Sequence, residues 1–154
     1  MADSKLIHIV DDEEAVRRSL DFLLRTAGYQ VEKWPDGEAF LKGAEPTRPA
    51  CVLLDVRMPG MDGLQVQREM VGHGLNFPVI VLTGHGDINT AVQAMQGGAV
   101  DFLEKPFNRQ RLLEALDSAF LRLADKEGQR EREQWAKTQI ALLTDREEEG
   151  LEGL

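Results

Sequence analysis

"VLLDVRMPGMDG", residues 52–63, decides how the rest of the chain is read. Val52, Leu53 and Leu54 make an unbroken apolar run, the mark of a strand covered on both faces, and the run ends on a carboxylate, Asp55. Such a strand belongs to a parallel sheet between two layers of helices, and the flanking sequence supplies the parts. "KLIHIV" (5–10) reads as a first strand, "YQVEKW" (29–34) as a second, "CVLL" (51–54) as the third, "PVIVLT" (78–83) as a fourth and "VDFLEK" (100–105) as a short fifth. The segments between them are helical in pattern. The first places Val16, Leu20, Leu23, Leu24 and Ala27 on one face and stops at Gly28; the second opens at Asp36; the third covers 64–74. A fourth runs from Asp87 to the pair Gly97 and Gly98, and a fifth covers 108–124 with Asn108 as its N-cap. Five strands alternating with five helices predict an α/β fold, a doubly wound five-stranded parallel sheet.

Composition narrows the function. The 154 residues allow one domain and an appendage, not two full domains. A net charge of −9 with no basic stripe would repel a phosphate backbone, so this chain is a poor nucleic-acid binder by itself. A single cysteine, Cys51, excludes an intrachain disulfide and fits a small buried hydrophobe. No apolar run approaches the roughly 20 residues that span a bilayer, and the N-terminus lacks the order of a signal peptide, so a cytoplasmic protein with no membrane partner is expected.

In a doubly wound sheet, ligands bind outside the carboxyl ends of the strands. The residues at those ends are Asp11 and Asp12 after strand one, Asp55 at strand three, Thr83 at strand four and Lys105 at strand five. Three carboxylates packed together repel one another unless a cation sits among them. Few, hard oxygen ligands suit Mg²⁺, with Mn²⁺ or Ca²⁺ as substitutes. The lysine and the hydroxyl would hold the oxygens of a phosphoryl group, and Asp55 would be the nucleophile that accepts it, presented at the strand end rather than buried. Gly60 and Gly63, with Pro59, give the following loop freedom and rigidity to fold over the site.

"VDDEE", "LLDVRMPGMDG", "VIVLTGHGD" and "FLEKPF", four motifs in fixed order, resemble the receiver domain of two-component response regulators. The "TGHGD" variant and "LTDREEEGLEGL" are similar to the FixJ subfamily. The resemblance covers residues 5 to about 123 and implies a flavodoxin-like fold with strand order 2-1-3-4-5 and a sensor histidine kinase as partner. It makes Asp55 the phosphoacceptor, Asp11 and Asp12 metal ligands, and the backbone carbonyl of Arg57 a further ligand. Thr83 and Lys105 would contact the phosphoryl group, and the Lys105–Pro106 bond would be cis. The resemblance also implies a switch in which Thr83 moves to the phosphate and an aromatic on strand five, Phe102, enters the space. The face from about 87 to 123 would then control a homodimer.

Plainer readings stand beside these. Asp11 or Asp12 could cap the first helix, and Phe102 could be core. His85 reads as a loop histidine, His8 as a strand residue and His73 as a helix-end residue, with no zinc spacing. Trp34 and Trp135 fit packing and linker positions. The domain reading is a receiver over 1–123, a helical linker extending the last helix over 124–143, and at 144–154 the start of a truncated helix-turn-helix output domain, where Thr144 and Glu147 form a capping box. DNA would be bound only through that missing domain. A stand-alone receiver serving as phosphate sink or docking module is the alternative, and the capping box argues against it. The chain is read as a phosphoacceptor, not an enzyme: a phosphohydrolase of the haloacid dehalogenase type needs an acid two residues after its nucleophile, and Arg57 stands there.

Overall fold

The computed structural model describes residues 5–84 and 87–125. Its strands are β1 (Leu6–Val10), β2 (Gln30–Trp34), β3 (Ala50–Asp55), β4 (Val79–Thr83) and β5 (Asp101–Glu104). The helices are α1 (Glu14–Thr26), α2 (Gly37–Gly43), α3 (Gly63–Met70), α4 (Ile88–Gln96) and α5, residues 109–125. All pairings in the sheet are parallel, in the order β2-β1-β3-β4-β5, so the flavodoxin-like doubly wound fold is the one the chain adopts. The chain divides into two units at Leu123, and the sheet lies in the first. The linker past residue 125, Trp135 and the Thr144–Glu147 capping box lie outside the described residues, as does His85.

Side-chain alternation divides the core in two. On one face Ile7, Ile9, Leu53, Ile80 and Leu82 pack with Leu20 and Leu24 of α1 and Leu112 and Leu116 of α5. On the other, Val10, Val52, Leu54 and Val81 pack with Phe40 of α2, Val66 and Met70 of α3 and Ala94 of α4. Cys51 is buried, and burial pushes its thiol up to about 12, so it packs as the hydrophobe the sequence implied.

The helix ends follow their local chemistry. Asp36 and Asp62 accept the N–H of Ala39 and Gln65 at 2.8 and 2.9 Å, and Asn108 accepts that of Arg111 at 2.7 Å. After α1 the chain turns through Gly28 at φ 98°, with Gly28 N–H on the Arg25 carbonyl and Tyr29 N–H on that of Leu24, the paired bonds of a Schellman motif. Gly98 does the same after α4. The third helix is shorter than the 64–74 pattern suggested: it ends at Met70 and tightens into a 3-10 turn, Val71–His73, closed by Gly74 at φ 73°.

Candidate functional site

The register of the parallel sheet brings its acids together. Asp55 is the last residue of β3 and pairs with Leu82 of β4, while Asp11 directly follows β1 and donates its N–H to the Trp34 carbonyl at 3.2 Å. Ligand oxygens of Asp11, Asp12 and Asp55 lie within 4.8 Å of one another. Lys105, directly after β5, points its ammonium between two of them, 3.3 Å from Asp11 Oδ2 and 3.4 Å from Asp55 Oδ1. Its own N–H is fixed to the Thr83 carbonyl at 2.8 Å, and the Lys105–Pro106 peptide is cis.

Two sequence readings are corrected here. Asp55 is not presented to solvent: it is 4% exposed, a buried carboxylate at the floor of the cluster. Lys105, Asp11 and Asp12 lie beside its carboxylate, and Gly63 at the start of α3 lies against its backbone. Nor do the acids after β1 cap α1 through their side chains. The N-cap position is Glu13, without a side-chain cap bond, and Asp11 Oδ1 instead accepts the Glu13 N–H at 2.9 Å, leaving its other oxygen on Lys105.

Burial raises the Asp55 carboxyl to about 6, with the Asp11 charge adding to the effect and Lys105 and the Arg57 backbone N–H opposing it. Burial works against the Lys105 ammonium too, but Asp55 and Asp11 outweigh it and its pKa is raised. Two acids and one lysine share this buried space and Asp12 adds a third acid at its exposed rim, so the site is short of positive charge. Adjacent oxygens around Mg²⁺ lie about 3 Å apart and opposite ones about 4 Å, given its metal–oxygen distances of about 2.1 Å. Three carboxylates within 4.8 Å therefore fit that ion, directly or through one of the waters it retains.

Asp55→Asn removes a charge that the fold holds at a cost, so in chelator at pH 7 the variant is expected to be more stable by about 2 kcal/mol in urea unfolding. Since the folded pKa exceeds the unfolded one, the gain is largest above pH 6 and disappears below about pH 4, where both states are protonated.

Thr83 is buried, and its hydroxyl donates to the Leu103 carbonyl at 3.4 Å rather than to the carboxylates. Phe102 is not core: it is 39% exposed and closes an apolar groove with Ile88, Ala91, Val92 and Met95 of α4. Two features escaped the sequence reading. The Arg57 guanidinium pairs with Asp87 ahead of α4, and Trp34 Nε1 donates to His8 Nδ1 at 3.0 Å. A polar residue in the middle of the apolar strand LIHIV was the available signal for the second; the first joins two loops thirty residues apart and left no local mark.

A parallel sheet in this order, with an acid cluster, a hydroxyl residue and a lysine at its carboxyl edge, defines the receiver class of signalling domains, and residues 7–117 match the response regulator receiver domain family. The chain belongs to that family and is the receiver domain of a FixJ-like response regulator in two-component signalling. It is 41% identical over 154 residues to the transcriptional regulatory protein FixJ of Azorhizobium caulinodans, spanning 100% of this chain and 73% of that protein. With FixJ of Bradyrhizobium diazoefficiens it shares 43% over 149 residues, 96% of this chain and 72% of the relative. Among solved structures, full-length FixJ from B. japonicum superposes with TM-score 0.75 at 40% identity, covering 97% of this chain and 73% of that one. The FixJ-N crystal structure gives 0.72 at 45%, covering 76% and 94%.

Proposed function

We propose that the chain takes a phosphoryl group from a sensor histidine kinase onto Asp55, and that the modification alters the face formed by α4, β5 and α5. The observation that carries this reading is Lys105 Nζ lying 3.4 Å from Asp55 Oδ1, a cation beside a buried acid that ends a strand of the sheet. Asp11, Asp12, Asp55 and the backbone carbonyl of Arg57 would hold Mg²⁺, which when bound offsets negative charge on the phosphoryl oxygens. The Asp55 carboxylate forms the new oxygen–phosphorus bond as the bond to the phosphodonor breaks, the electron pair leaving with the donor. Lys105 exchanges Asp55 Oδ1 for a phosphoryl oxygen and keeps Asp11. The Thr83 hydroxyl exchanges the Leu103 carbonyl for another, vacating space beside β5.

Phe102 then has room to move inward from its exposed position, and the groove it closes changes shape. That groove presents Ile88, which is 69% exposed, with Val92 and Met95, a surface suited to a homodimer. Its control of a DNA-binding output domain and of transcription is the whole protein's function on this reading. No helix among the described residues is long and apolar enough to cross a membrane, and the cytoplasmic placement rests on membership of the response regulator receiver family. The phosphohydrolase reading is not favoured, because the residue two after Asp55 is a guanidinium engaged with Asp87 and offers no acid to a leaving group. The chain is on this account an acceptor, not a catalyst.

Acetyl phosphate tests the proposal. With Mg²⁺ the intact mass is expected to rise by one phosphoryl group and the solution size to shift from monomer to dimer, and chelator should prevent both. Mass gain without a size change would remove the dimer from the account; no gain with Mg²⁺ present would remove the phosphoacceptor.

A further inference from the structure

Two residues past Asp55, the guanidinium of Arg57 reaches across to Asp87, the residue before α4. Nη2 and Nε donate to Asp87 Oδ2 at 3.0 and 3.3 Å. The other Asp87 oxygen accepts from Thr90 Oγ1 at 2.6 Å, and the Asp87 carbonyl takes the Ala91 N–H at 3.2 Å. Hydrogen bonds from Thr90 and then Arg57 hold the Asp87 carboxyl below the usual carboxylate range. At the other end, the Arg57 backbone N–H faces the Asp55 carboxylate. One side chain therefore ties the loop leaving the acceptor strand to the first turn of the helix that carries Ile88, Val92 and Met95.

Charge counting gives this tie a direction. Before modification, three carboxylates balance the single charge of Lys105 and the two of a bound Mg²⁺. A phosphoryl group converts Asp55 from one negative charge to about two, so one negative charge is left over. Arg57 is the cation already attached to this loop. Its pairing with Asp87 is weak, since the guanidinium is 76% exposed, whereas a phosphoryl group offers it two oxygens in the geometry a guanidinium prefers.

We propose that the Arg57–Asp87 pair is a latch, closed in the unmodified chain, and that a phosphoryl group on Asp55 opens it by drawing Arg57 off Asp87 and loosening the first turn of α4. The inference rests on Asp55 being the phosphoacceptor.

Amide hydrogen exchange over residues 88–96 tests it, in the unchanged chain and in Asp87→Asn, each with and without acetyl phosphate and Mg²⁺. Asparagine keeps an oxygen for Thr90 and loses only the charge that holds Arg57. In the unmodified form Asp87→Asn should raise exchange about threefold, the size of an exposed ion pair, and Arg57→Gln should reproduce it. In the phosphorylated form the unchanged chain and Asp87→Asn should be alike, because the latch is already open. An Asp87→Asn effect of equal size in both forms, or none in the unmodified form, overturns the latch. Intact mass taken alongside separates the two failures: absence of phosphoryl uptake overturns the reading of Asp55, and uptake with equal effects overturns the latch alone.

Discussion

Gly63→Ala is expected to destabilise the fold by about 3 kcal/mol, a large effect for one methyl group added at a helical glycine. The cause is space rather than backbone conformation. A Cβ at this position would sit 2.4 Å from the Asp55 carbonyl oxygen, 2.8 Å from Val56 Cα and 3.0 Å from the Asp55 carbonyl carbon, all backbone atoms that no side-chain rotation can move. The same glycine donates its N–H to the Val56 carbonyl at 2.8 Å, so the start of α3 is bound to the strand it would be pushed from. Relief requires moving either α3 or the end of β3, and the latter carries Asp55. Urea unfolding should show the loss, and the variant that remains folded should take up phosphoryl more slowly. Gly72→Ala is the control: nothing lies within 4 Å of its Cβ position, and its stability should change by less than about 0.5 kcal/mol.

His8 carries the second large effect. It is fully buried in β1, ringed by Trp34, Phe40 and Phe77, and its Nδ1 accepts the Trp34 indole N–H. The ring proton is therefore on Nε2, which has no hydrogen-bond partner among the described residues. A second proton would have to sit on Nδ1, facing another donor. Burial, with the Arg48 charge adding to it, lowers the His8 pKa to about 4; Glu32, 3.7 Å from Nδ1, is a poor ion-pair partner while Trp34 occupies that nitrogen.

The folded pKa lies below the unfolded 6.5, so this contribution to stability is complete above pH 6.5 and is lost as pH falls toward 4. The full loss is about 3 kcal/mol. Asp55 acts in the opposite sense over nearly the same window, so the unchanged protein shows only the difference. The measurement is accordingly a comparison: between pH 7 and pH 4, His8→Leu should gain about 3 kcal/mol in urea unfolding relative to the unchanged chain. Parallel pH profiles for the two would contradict a buried, neutral His8.

Much of this architecture was legible in the sequence because period and punctuation agree. Apolar runs in β1, β3 and β4 are buried along their whole length, and the glycines after α1 and α4 stop those helices as their positions implied. The acid cluster was legible for the same reason: strand ends are fixed by the sheet, and Asp11, Asp55 and Lys105 adjoin strands that could be read. What sequence did not yield was depth and reach. Whether Asp55 is presented or buried depends on how the side chains of other strand ends close around it, and Gly63 serves as a contact against its backbone, whereas the sequence reading gave that glycine only conformational freedom. Gly60, at φ 78°, is the glycine that uses such freedom. Phe102 turned outward because β5 lies at the sheet edge beside α4, a fact of topology that alternation within a four-residue strand does not carry.

The modified residue is identified by phosphorylating the chain with acetyl phosphate and Mg²⁺, reducing the acyl phosphate with borohydride and mapping the product by peptide mass. Homoserine is expected at position 55 and nowhere else, with no reduced product in Asp55→Asn. Reduction at Asp11 or Asp12, or undiminished labelling of Asp55→Asn, would contradict Asp55 as the phosphoacceptor.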